Sequence, residues 1–216
     1  ATTCQPIGDP LPHDQPVRSV VFSPDGQRLV TVTQNALRVW NTATGQPVTA
    51  AIADDSARAG GPNRPGLGRG GFAARVSFSP DGRKILYLAN DRSIRILDAA
   101  TGQDTLPALH ADAGFSSASF SPDGKKILTL GAAAQLWDAA TGAPLLEFAQ
   151  DVAALDSAAF SPDGKQVLTT AGADAQVWDA ATGQAVGDAI HQSEQNISAA
   201  FSPDGTRILT YTAGAD

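Results

Sequence analysis

The stretch FSPDG occupies residues 22–26 and returns at Phe78, Phe120, Phe160 and Phe201 of a 216-residue chain. An apolar residue closes a strand, and the next three reverse the chain. Pro sets φ, Asp bonds the backbone ahead of it, and Gly accepts positive φ. One turn used five times marks an internal repeat, and its period has to be read before any single residue. The last three steps between copies are 42, 40 and 41 residues, and the first is 56.

A second landmark follows each of the first four copies: VWNTATG at Val39, ILDAATG at Ile96, LWDAATG at Leu136 and VWDAATG at Val177. From Gly102, Gly142 and Gly183 to the next turn phenylalanine is 18 residues, but from Gly45 it is 33. The surplus falls in ADDSARAGGPNRPGLGRGG, residues 53–71, a loop insertion of Gly, Pro and Arg. Inside one unit apolar residues alternate with period two, as strands require. VRSVVFS enters the turn, KQVLTTA leaves it, AQVWD follows, and a weaker strand such as APLLEF completes the unit. Each repeat reads as a four-stranded meander that buries both faces only by stacking on its neighbours.

Repeats of this length, with FSPDG, a strand ending in Trp-Asp and a Thr-Gly turn, resemble the WD-repeat β-propeller family, in its bacterial form. The resemblance spans essentially the whole chain. It implies an all-β propeller of four complete four-stranded blades, a leading outer strand and a partial fifth blade, a segment of a larger propeller. The expected boundaries are 1–13 for the leading strand, 14–52 for blade 1, 53–71 for the insertion, 72–110 for blade 2, 111–150 for blade 3, 151–191 for blade 4 and 192–216 for the partial blade.

The family also implies a buried hydrogen-bonded set of His, Ser or Thr, Trp and a turn Asp. On this chain the matching positions are His13, Thr31 and Trp40; His110, Thr129 and Trp137; Thr169, Trp178 and Asp174; and His191 with Thr210. The second copy departs from the pattern, with Tyr87 and Leu97 at the Thr and Trp positions. The face formed by outer-to-inner connections is commonly a binding face in the family. Candidate contacts there are Arg64, Arg69, Phe72, Asp112, Phe115, Asp151 and Glu194.

Composition narrows the function. A formal net charge of −7 lacks the basic footprint of nucleic-acid binding. No apolar run approaches the ~20 residues of a membrane span. Cys4 is the single cysteine, which excludes an internal disulfide and a cysteine metal cage and fits a reducing, cytoplasmic compartment. The three histidines are spread over different repeats, and the aspartates recur with the turns. Repetition is a mark of structure, whereas a catalytic pair must converge once. Expected, then, is a non-catalytic scaffold that binds a protein or peptide, with no cofactor, metal, nucleic acid or membrane partner. Two alternatives stand beside it: a sensor propeller attached to a kinase or nucleotide-hydrolysing domain, and a hydrolase or lyase acting at the channel mouth.

Overall fold

The computed structural model describes residues 8–54, 76–112, 114–148, 155–193 and 197–212. These form seventeen strands and, among the described residues, no helix. Residues 55–75, most of the insertion, lie outside the described residues. So do Arg64, Arg69, Phe72, Asp151 and Glu194. The chain divides into two compact units, Ala1–Asp91 with Arg95–Ala108 and Arg92–Ile94 with Leu109–Asp216.

In the first unit β1 (Ser19–Phe22), β2 (Arg28–Val32), β3 (Ala36–Asn41) and β4 (Ile52–Ala53) form one antiparallel sheet in sequence order. The FSPDG turn fixes its register by placing Phe22 opposite Leu29 and Ser19 opposite Val32. A second sheet contains β5 (Val76–Phe78), β6 (Lys84–Leu88) and β7 (Ile94–Asp98). Alternation sends Val30, Val32, Leu37 and Val39 of the first sheet onto Val76, Phe78, Ile85 and Tyr87 of the second.

The second unit repeats the plan. Its first sheet is β8 (Ser117–Phe120), β9 (Lys126–Leu130), β10 (Ala134–Asp138) and β11 (Pro144–Phe148). Next come β12 (Ser157–Phe160), β13 (Gln166–Ala171), β14 (Asp174–Asp179) and β15 (Ile190–His191). A two-stranded sheet of β16 (Ile197–Phe201) and β17 (Ile208–Thr212) follows. Leu128, Leu130 and Leu136 pack on Phe160 and Val167, while Leu168 and Val177 pack on Ala199, Phe201 and Ile208.

The meander of the sequence reading is therefore the structural unit, with two differences. The second sheet has three strands, because its expected outer strand is reduced to bridges at Leu97–Asp104 and Ile94–Leu109. Pro107 lies between those bridges and has no N–H to give a ladder. In the leading segment, residues 8–13 contain no strand.

Candidate functional site

Two recurrent turns hold eight of the described aspartates. In every FSPDG turn the Ser hydroxyl donates to the Asp Oδ1 at 2.5–2.7 Å. The same oxygen accepts the backbone N–H two residues on at 3.0 Å. In the second turn Asp98, Asp138 and Asp179 each accept two backbone N–H groups at 2.7–2.9 Å. Asn41 does the same work in the first repeat.

These donors favour the ionised acid. The Ser23, Ser79 and Ser121 hydroxyls, followed by a backbone N–H, hold Asp25, Asp81 and Asp123 below the ordinary aspartate value. For Asp98, Asp163 and Asp179 the leading cause is a backbone N–H, from Thr101, Lys165 and Thr182 respectively. Asp204, held first by the Ser202 hydroxyl, is lowered to about 2.

The tryptophans are held by the threonines the sequence assigns to them. Trp40, Trp137 and Trp178 donate their indole N–H to Thr31, Thr129 and Thr169 at 2.9, 2.8 and 2.8 Å. Each pair spans neighbouring strands, since Thr and Trp stand on one face of β2–β3, β9–β10 or β13–β14.

The histidines behave differently from one another. His13 Nδ1 donates to the Leu11 carbonyl at 2.8 Å, and Nε2 shares a hydrogen bond with the Thr31 hydroxyl at 2.7 Å. A hydrogen-bonded chain runs from Trp40 through Thr31 and His13 to the backbone. His110, expected beside Thr129 and Trp137, is exposed, and no hydrogen bond links it to them among the described residues. The buried ring of Phe115 instead packs edge-on against Trp137, with centroids 6.0 Å apart. Phe115 is thus a core residue, not the surface contact that its place in a loop suggests, while Asp112 is exposed.

His191, expected with Thr210, sits opposite Asp174 in the β14–β15 ladder and bonds it, Nδ1 to Oδ1, at 2.5 Å. Gln192 takes the expected role, its amide donating to Thr210 at 3.0 Å. Alternation across a strand explains the swap: adjacent residues point to opposite faces, and the register differs by one from the expectation.

Two arrangements escaped the sequence reading. Tyr87 donates its hydroxyl to the buried Asp54 at 2.7 Å, and the Asn90 N–H reaches the same carboxylate oxygen at 2.9 Å. A tyrosine at a threonine position, with a carboxylate just after the first sheet, is the only sequence signal for it.

The second arrangement involves equivalent arginines in β3 and β7. Arg95 grips Asp104 bidentately, Nε–Oδ1 at 2.9 Å and Nη2–Oδ2 at 2.7 Å, beside an open cleft of about 410 Å³. Arg38 is its counterpart, but Pro47 bridges Trp40 where Asp104 bridges Leu97. The Arg38 guanidinium lies 5.3 Å from the Trp40 ring centroid, with no carboxylate on it among the described residues. With His13, Gln15, Thr33 and Asn35 it lines a cavity of about 100 Å³.

Among the described residues, no group of three or more His, Cys, Asp or Glu is arranged to hold a metal ion. Antiparallel blades joined by repeated Asp turns and pinned by Trp–Thr pairs define an all-β repeat protein. Residues 5–41 match the family model of the WD domain, G-beta repeat. No curated protein matches the chain.

Proposed function

We propose that the chain is a non-catalytic protein-interaction scaffold, a module of a larger protein, and that its first blade receives an acidic side chain of a protein or peptide partner. Arg38 carries this reading. The same position in the next repeat holds a carboxylate, and in the first repeat no carboxylate of the described residues occupies it. A guanidinium already ordered over an indole loses little freedom on accepting a bidentate carboxylate. The turn aspartates support the non-catalytic part: a general acid needs a raised pKa, and theirs are lowered.

The probe is a Glu-rich decapeptide titrated calorimetrically into the 216-residue chain at low salt. Arg38→Gln should weaken binding about tenfold, the loss of one charge-assisted contact, while Arg95→Gln leaves it unchanged. Equal binding by the parent chain and Arg38→Gln would overturn the reading. Deleting residues 57–71 should leave the thermal midpoint nearly unchanged, because loop-closure entropy varies slowly with length. A further drop in peptide affinity on that deletion would extend the site to the insertion's arginines.

A further inference from the structure

Every Asp-Gly pair in the chain lies in an FSPDG turn, at Asp25, Asp81, Asp123, Asp163 and Asp204. Asp-Gly is a chemically labile pair, because glycine puts no Cβ in the way of its own backbone nitrogen. That nitrogen can attack the Cγ of the protonated carboxyl group. The N–H proton and the carboxyl hydroxyl leave as water, and a five-membered succinimide closes. Water then opens the ring at either carbonyl. One opening regenerates aspartate; the other leaves isoaspartate, in which the main chain runs through the side-chain carbon.

The folded turn restrains both reacting groups. In all five copies the Gly N–H donates to the Ser carbonyl at 2.8–2.9 Å, which commits the nitrogen away from the carboxyl group. The Asp Oδ1 is held in turn by the Ser hydroxyl and by the N–H beyond the glycine, at 2.7 and 3.0 Å for Asp123. That hydroxyl is itself fixed: Ser121 is 2% exposed, and its Oγ accepts the Lys126 N–H at 2.9 Å. The same donors favour the anion over the protonated acid that ring closure needs, and Asp123 lies below its ordinary value, led by the Ser121 hydroxyl. Neighbouring turns close in from outside. A Cβ on Gly82 would lie 3.8 Å from Pro24 Cδ, and one on Gly164 only 3.1 Å from Pro122 Cδ.

We infer that the five Asp-Gly pairs are latent sites of spontaneous isomerisation, each locked by the serine hydroxyl of its own turn and opened when that turn unfolds locally. Local opening of single elements is the ordinary route by which buried groups become reactive. The product does not return to the fold. Isoaspartate adds a carbon to the main chain at the point that sets the register of two strands, and a strand slipped out of register turns its apolar side chains away from the core. Isoaspartate at one turn therefore records that its blade has opened.

The test incubates the full 216-residue chain in neutral buffer, folded and in urea, and follows isoaspartate at each turn by peptide mapping. The folded chain should keep all five aspartates while the unfolded chain converts them. Ser121→Ala removes one hydroxyl from one turn and should speed conversion at Asp123 about tenfold, the scale of one charge-assisted hydrogen bond. The other four aspartates of the same molecule are its controls and should keep the parent rate. Ser79→Ala, in the other unit, should move the effect to Asp81 and return Asp123 to the parent rate. Equal rates in the folded and unfolded parent chain overturn the proposal, as does a variant whose own turn stays at the parent rate. Should one variant unfold, so that all five convert together, the other variant decides. All five accelerating together in both variants overturns the proposal, because the lock then belongs to the whole fold and not to the turn.

Discussion

His13 and His110 each precede a Thr–Trp pair, and only the first joins it. The difference lies in the path of the chain before the strand, which brings His13 onto Thr31 and leaves His110 in solvent. His13→Ala should therefore cost about 1–2 kcal/mol, the scale of a lost partly buried hydrogen bond with its packing. His110→Ala should stay within about 0.5 kcal/mol, as ordinary surface changes do. Thr31→Val should cost about 1–3 kcal/mol, since it strands the buried Trp40 N–H. Urea unfolding of the three variants checks the order, and equal losses for the two histidines would refute it.

At the scale of the element, the turns and strands were legible because their causes are local. FSPDG contains everything its turn needs, and period two marks the faces. The Trp–Thr pairs were legible for a related reason: hairpin register sets them side by side once the turn is known. Asp54–Tyr87 and Arg95–Asp104 depend on which connection meets which strand, and no periodicity encodes that.

Gly102 tests how closely these connections are fitted. Its φ is +74°, and a Cβ there would meet Ile52 Cδ1 at 2.6 Å and Cγ1 at 2.9 Å. Gly26, at +68°, has nothing within 4 Å of that position. Gly26→Ala should cost the left-handed penalty alone, about 1–2 kcal/mol. Gly102→Ala should cost about 1–3 kcal/mol more, from overpacking against Ile52. Similar midpoints in urea for the two variants would show that Ile52 moves aside freely.

Across the whole molecule the turn aspartates set the response to acid. Asp25, Asp81, Asp98, Asp123, Asp163, Asp179 and Asp204 all have folded values below the ordinary 3.8. A depressed folded value contributes stability that is full above the unfolded pKa and is lost as pH falls through the folded one. The thermal midpoint should accordingly hold down to about pH 4 and then fall steadily towards about pH 2. An unchanged midpoint across that window would mean the unfolded chain keeps the same turns. Asp204→Asn should flatten the lowest part of the curve, because its folded value is about 2.

The indole–threonine pairs have one more consequence. Three tryptophans serve three different sheets, and the second sheet has none, with Leu97 in place of the ring. Replacing two of the three by phenylalanine leaves a chain whose fluorescence reports on a single blade. The parent emission is already a sum of three local thermometers, each packed against a different aromatic neighbour: His13, Phe115 or Phe148. Blades that melt together would give three superimposable curves. Any spread among them would rank the blades by strength within one intact chain.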